Sequence, residues 1–297
     1  MNQDFDLILP IAAADLDVAI LTIPYIKKYI APSEIVVISN KQVRGRVDAL
    51  NDNRIRFLDE DNVIEGLSFG QLKSYLSNFS AERRTGWYFQ QFLKMGYALI
   101  TEKEYYMSWD ADMIPLKKIC PFQNGKPVFS IKKEYHKPYF DTIENLFDLK
   151  KKIKGSFVAE HMIFKSSYMQ EIIGKLSCEK EWYYKIIDSI SPKDITQSGF
   201  SEFETYGTYI MEYHPEAYRM ENFKAIRKGK MIFGKVPNAD VMEWLSKNFS
   251  SIVFEKTQQE IVSHKLYNSK LFRAIVPSSV YIFGTLVDIK IHSLIVK

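Results

Sequence analysis

Apolar runs of five or six residues, separated by polar connections, open the chain. Asp6 to Ile11 reads as a buried strand. Asp15 then opens a helical pattern through Leu16, Ala19, Ile20, Ile23 and Ile26. Ile35 to Ser39 is a continuous apolar run of the kind found in the middle of a parallel sheet, and Arg54 to Asp59 reads as a third strand. Strand, helix, strand, connection, strand predicts an α/β fold around a mostly parallel sheet. Open sheets of this kind take ligands at the carboxyl ends of their strands. Pro10 to Ala14, Ser39-Asn40 and Asp59 are therefore candidate contacts, with Pro10, Ala12 and Asn40 the preferred ones. The glycine fingerprint of dinucleotide binders and the Walker pattern are both absent.

Residues 86 to 100 predict a helix that is apolar on most sides. Trp87, Gln90, Gln91 and Lys94 share its one polar stripe. Buried polar groups need partners, so the stripe either bonds neighbouring loops or meets a ligand. Arg83 and Arg84 precede it, either solvated or positioned for phosphate.

The helix leads into Tyr105 to Leu116, which reads as a buried strand carrying Asp110 and Asp112 one residue apart. Alternation along a strand puts both carboxylates on one side. Such a pair either caps the next turn or is neutralised by a hard divalent cation carrying phosphate oxygens.

Pro127 to Ile131 predicts a further strand, and Lys132 to Lys154 an exposed excursion with a short helix over residues 143 to 149. Gly155 to Phe164 is strand-like but holds the polar pair Glu160-His161, which either lines a pocket or forms a bulge. Helices follow from Ser166 or Ser167 and over residues 181 to 190. Ser201 and Glu204 fit a capping box, which gives Glu204 a structural task. Glu202 lacks that task and is the better candidate base, ionised at a helix start. Residues 232 to 234 and 252 to 254 read as late strands. Five histidines are scattered; His214 and His264 are the two placed to return toward the acids.

Composition adds limits. With 297 residues and 46% hydrophobic content, the chain forms one large domain or two associated ones. Cys120 and Cys178 make neither metal spacing nor disulfide framework, which suits a reducing compartment. The first residues show no basic segment before an apolar run and predict no signal peptide. The net charge of +4 comes from the tail: residues 265 to 297 hold five basic residues and one acid. A balanced body gives no nucleic-acid footprint. The tail's uncharged stretch, Ala274 to Val287, is too short to span a bilayer. It suits either a membrane interface or packing on the core or a second copy.

Three motifs occur in order: Gly86-Trp87-Tyr88-Phe89-Gln90-Gln91-Phe92-Leu93-Lys94, Trp109-Asp110-Ala111-Asp112, and Ser201-Glu202-Phe203-Glu204-Thr205-Tyr206-Gly207. Over roughly residues 4 to 260 the chain resembles GT-A-type bacterial glycosyltransferases with a D-x-D motif, and within them a group acting on surface polysaccharides. That resemblance implies a Rossmann-like mixed sheet flanked by helices over residues 1–264, followed by an amphipathic tail over 265–297. It implies a nucleotide-sugar donor, UDP-linked by preference, bound by Arg84, Trp87, Gln91, Lys94, Asp110, Ala111 and Asp112 along with the strand ends. The acceptor would be a saccharide, free or lipid-linked, near Glu160 and His161. Asp110, Asp112 and His264 would hold Mn²⁺ or Mg²⁺, and Glu202 or Glu204 would act as base in an inverting transfer. The Ser-Glu-Phe-Glu order departs from the Glu-Asp pair common in such enzymes, which leaves the base and the stereochemistry open. A cytoplasmic protein, at the inner face of the cell membrane or paired with a second copy, fits this setting. A nucleotidyltransferase and a non-catalytic carbohydrate-binding protein are the rival classes. The first usually shows a basic glycine-rich loop near its first strand, absent from Leu7 to Asp15.

Overall fold

Leu7, Ile8 and Leu9 are wholly buried, as are Val36, Val37 and Ile38. Strands buried on both faces read as continuous apolar runs, and these two lie at the middle of a sheet. The computed structural model describes residues 3–178, 180–260 and 265–295. The chain divides into two units. The first takes Met1–Asp17, Pro32–Asp110 and Pro121–Asn222; the second takes Val18–Ala31, Ala111–Cys120 and Phe223–Lys297.

The first unit is built on a five-stranded sheet. Its strands are β1 (Phe5–Pro10), β2 (Glu34–Ser39), β3 (Ile55–Asp59), β4 (Tyr105–Trp109) and a later strand, His161–Lys165. The order is β3-β2-β1-β4 and then His161–Lys165. The first four are parallel, with Leu7 opposite both Ile35 and Met107. The last runs antiparallel to β4, with Trp109 opposite His161. The mostly parallel α/β sheet expected from the apolar runs is thus present. Because the last strand is reversed, its first residue sits beside the carboxyl end of β4. Glu160 and His161 are thereby brought next to Asp110.

Helices α1 (Leu16–Tyr29), α2 (Arg44–Asp48), α3 (Phe69–Ser77) and α4 (Thr85–Gly96) precede β4. The second unit follows with β5 (Met113–Pro115), and a small sheet of the first unit starts at β6 (Phe122–Gln123) and β7 (Lys126–Ile131). Helix α5 (Lys137–Phe147) leads to β8 (His161–Lys165), then α6 (Ser166–Leu176), α7 (Trp182–Ser189) and α8 (Glu202–Tyr213). Strand β9 (Arg219–Asn222) closes the small sheet, parallel to β7.

The second unit adds β10 (Ala225–Ile226), α9 (Gly229–Phe233), α10 (Ala239–Ser246), β11 (Ser251–Val253), α11 (Lys270–Ile275) and α12 (Ser278–Ile295). Its sheet has the order β10-β11-β5. Trp244, Leu245, Ile252, Tyr281 and Ile282 share its core. The tail therefore contributes Tyr281 and Ile282 to this core. It also leaves Leu271, Ile275, Val280 and Phe283 each at least 60% exposed. No helix among the described residues is long and apolar enough to cross a membrane.

Four expectations are corrected. β4 ends at Trp109, and Asp110 to Asp112 lie in the turn before β5, so strand alternation does not govern the two acids. β8 begins only at His161, because Glu160 adopts a left-handed φ of 58° that breaks the pleat. Residues 232 to 233 are helical, ending at Gly234 with φ 69°; three apolar residues do not fix a period. The predicted helix over 86 to 100 stops at Gly96, leaving Leu99 and Ile100 exposed.

Candidate functional site

The polar stripe of α4 turns inward in the first unit. Gln90 Nε2 donates to the Pro10 carbonyl at 3.0 Å, tying α4 to the carboxyl end of β1. Gln91 is buried, and its Oε1 accepts from the Glu202 backbone N–H at 3.2 Å, satisfying a free donor at the start of α8. Lys94 is buried and sits between two carboxylates. Its Nζ lies 2.8 Å from Asp110 Oδ1 and 2.9 Å from Glu202 Oε1. The ammonium also lies 4.5 Å from the centre of the Phe203 ring.

A buried lysine normally loses its proton, because burial penalises the charged form. Burial acts that way on Lys94, but the attraction of Asp110 and Glu202 outweighs it and holds the pKa above the ordinary value. Burial raises Glu202, with Lys94 and the Glu202 N–H pulling the other way. The ammonium thus faces two carboxyl groups, and burial favours the neutral form of Glu202. Asp110 remains 27% exposed at the side chain, whereas Lys94 and Glu202 are 5% and 4%.

Asp110 is also fixed through its backbone. Its N–H donates to the Glu160 carbonyl at 2.9 Å. The Glu160 carboxylate is in turn paired with Lys132, and both side chains are buried. Next to it, His161 is neutral: burial drives its pKa down to about 3. Its Nδ1 bonds the Ala159 carbonyl at 2.9 Å, and its Nε2 lies 2.9 Å from Ser130 Oγ. An N–H on Nδ1 makes Nε2 the acceptor of the Ser130 hydroxyl. Trp109 packs on the His161 ring at 5.0 Å and is fully buried.

The Ser201–Gly207 motif resolves into separate tasks. Ser201 Oγ caps α8 by accepting from Glu204 N at 3.3 Å. Glu204 does not return the bond to Ser201, as a full capping box would require. Its Oε1 instead accepts from Ser156 Oγ and, at 3.1 Å, from Phe157 N, while Oε2 is buried without a hydrogen-bond partner. Gly207 lies against the Phe157 ring, which would stand 2.3 Å from an added Cβ. Tyr206 accepts from Lys165 N at 2.9 Å. Of the two acids of this motif, Glu202 is the one that reaches Lys94.

The profile of a sequence family described as a family of unknown function, DUF6492, matches residues 4–278. The chain belongs to that family. No curated protein matches its sequence significantly. Among solved structures it is similar to an active-site mutant of LgtC, at 13% identity and a TM-score of 0.47, covering 84% of this chain and 87% of that one. The galactosyltransferase LgtC in complex with donor and acceptor sugar analogs is similar at 12% identity and a TM-score of 0.45, covering 86% and 88%. The apo form of the glycosyltransferase GlyE of Streptococcus pneumoniae TIGR4 gives 8% identity and a TM-score of 0.48, covering 97% of this chain and 64% of that one. Such similarity concerns the path of the chain, not its chemistry.

The other expected residues scatter in role. Ala12 is exposed. Asn40 caps the short helix after β2, accepting from Gln42 N at 3.0 Å. Ala111 and Asp112 belong to the second unit, where their carbonyls accept from Thr22 Oγ1 at 2.7 Å and Phe254 N at 2.9 Å. His264 lies outside the described residues. His214 is engaged elsewhere, with Nε2 2.9 Å from Glu171 and its ring stacked on Tyr168. Two residues with no periodic signal in the sequence also bear on this unit: Ser198 accepts from Arg84, and Tyr139 feels the charge of Glu202. Tyr139 is pushed up to about 12, first by burial and then by the charge of Glu202.

The donor chemistry of Asp110 fits a hard divalent cation. One carboxylate oxygen is oriented by Lys94, which is the role of an outer partner to a ligand. The side chain is partly open. No three His, Cys, Asp or Glu side chains gather into a cage among the described residues. An ion at Asp110 would take its remaining ligands from water and substrate oxygens, as Mg²⁺ commonly does.

Proposed function

We propose that the chain is a glycosyltransferase that moves a sugar from a nucleotide-sugar donor, UDP-linked by preference, to a saccharide acceptor. The observation that carries this reading is the Asp110–Lys94–Glu202 cluster at the carboxyl end of β4. Ligands of open parallel sheets bind at that edge. Support also comes from the ordered motifs that resemble the D-x-D enzymes.

In this reading Asp110 holds Mn²⁺ or Mg²⁺, with water and substrate oxygens as the remaining ligands. When bound, the ion supplies charge stabilisation to the departing diphosphate. Lys94 keeps Asp110 aimed and draws the pKa of Glu202 down against the effect of burial. Glu202 takes the proton of the acceptor hydroxyl as that oxygen attacks the anomeric carbon. Glu204 holds the 156–157 segment against α8. Glu160 and Lys132 hold the backbone of Asp110 from the acceptor side. The exposed Leu271, Ile275, Val280 and Phe283, with the basic tail, meet an anionic membrane surface that presents a lipid-linked acceptor.

Thermal unfolding with a panel of nucleotide sugars and Mn²⁺ tests donor binding, since a ligand of the native state raises the transition. A shift with one nucleotide class is expected in the wild type and absent in Asp110→Asn. No shift with any donor contradicts the proposal, and a carbohydrate-binding protein would respond to free saccharide instead.

A further inference from the structure

Arg84 immediately precedes α4 and Lys94 lies within it, and the fold treats their charges in opposite ways. Lys94 has two carboxylates within 3 Å. Arg84, the residue preceding α4, is half-buried, and among the described residues no carboxylate lies within ion-pair distance of it. Its guanidinium sits over the Trp87 ring, 4.5 Å from the centre. Nη2 donates to Ser198 Oγ at 3.3 Å, and Nε is buried with no hydrogen-bond partner. A desolvated guanidinium without counter-charge is costly, and surface arginines ordinarily keep their heads in water.

The surroundings are fixed rather than loose. Tyr88 OH donates to the Ile195 carbonyl at 2.9 Å, and Thr142 Oγ1 to the Gly199 carbonyl at 2.7 Å. His136 Nε2 lies 2.8 Å from the Ser198 carbonyl. The segment that carries Ser198 is therefore held from three sides. Tyr139 feels the charges of both Arg84 and Glu202. Stacking on Trp87 restrains the plane of the guanidinium, which suits a planar, two-point hold on an oxyanion.

We propose that Arg84, oriented by Trp87 and Ser198, is an anion subsite that binds phosphate or carboxylate oxygens of the sugar ligand. The ligand's being a sugar derivative rests on the glycosyltransferase reading; the anion chemistry does not. Two sources share that chemistry: the diphosphate of a donor, or the carboxylate of an acidic sugar.

Calorimetric titration of the full chain with inorganic pyrophosphate, glucuronate and glucose, without and with Mn²⁺, tests this. The wild type is expected to bind at least one of the two anions, and Arg84→Gln to weaken that binding tenfold or more. Arg84→Lys, which keeps the charge and loses the fork, is expected to fall between them. Glucose binding should not change with any variant. Dependence in the pyrophosphate arm identifies a diphosphate subsite, and in the glucuronate arm an acidic-sugar subsite. Equal anion binding by wild type and a folded Arg84→Gln overturns the proposal, as does a wild type that binds neither anion at millimolar concentration. Nucleotide release measured in parallel keeps the two readings apart. Arg84-dependent anion binding without sugar-nucleotide turnover upholds the subsite and removes the transfer reading.

Discussion

Lys94 Nζ is held 2.9 Å from Glu202 Oε1, and both side chains are at least 95% buried. The ammonium is what makes two neighbouring acids tolerable inside the first unit. Removing it leaves uncompensated buried charge, whereas removing one acid as well relieves part of that cost. Lys94→Met should lose about 3–5 kcal/mol of stability by urea unfolding. The double variant Lys94→Met/Glu202→Gln should recover part of the loss. A single variant as stable as the wild type, or a double variant that loses the two effects additively, would show that the pairing is not the reason for the buried lysine.

His161 gives the protein an acid-sensitive term. Its folded pKa is about 3 because the ring is buried, against roughly 6.5 for an unfolded histidine. The unfolded chain therefore takes up the proton first. The contribution is complete above the unfolded value and is lost as pH falls from there toward 3, by about 1.4 kcal/mol per pH unit. Urea unfolding at pH 7.5, 6 and 5 should show a steeper decline for the wild type than for His161→Gln. Parallel pH curves for the two proteins would refute a buried neutral imidazole.

The tail offers a test that leaves the core alone. Tyr281 and Ile282 are buried, so truncation would damage the second unit. Phe283 and Leu271 are more than 70% exposed. Phe283→Asp and Leu271→Asp should lower flotation with anionic liposomes severalfold at an unchanged unfolding temperature. Flotation that is absent in the wild type, or equal in the variants, rejects a membrane role for this surface.

Much of the first unit could be read ahead of the structure. β1, β2 and β4 are buried on both faces and are largely apolar, whereas the edge strand β3 is only partly buried and carries the exposed Arg56. The α4 stripe was legible for the same reason: a helix enclosed by the protein leaves few positions for polar residues. Local pattern fails where tertiary contacts decide. Glu160 takes a left-handed φ beside its bonds to Asp110 and Lys132, and the strand expected from residue 155 stops there. The helix of residues 137 to 147 begins earlier than apolar spacing suggested, although Pro138 in its first turn was an available signal. The capping-box pattern in Ser201–Gly207 already set Glu204 apart from Glu202. The fold adds that Glu204 holds the 156–157 segment, that Gly207 makes room for Phe157, and that Glu202 is the acid that meets Lys94.

Nucleotide release from UDP-sugars with Mn²⁺ and a saccharide acceptor tests the central claim most directly, compared across wild type, Glu202→Gln, Glu204→Gln and Asp110→Asn. The wild type should release nucleoside diphosphate. Glu202→Gln should fall by about 10²–10⁴, the usual contribution of a general base. Asp110→Asn should fall comparably, and Glu204→Gln should stay within a few-fold of wild type. Equal release by folded wild type, Glu202→Gln and Asp110→Asn would contradict the assignment of sugar transfer to the Asp110–Lys94–Glu202 cluster.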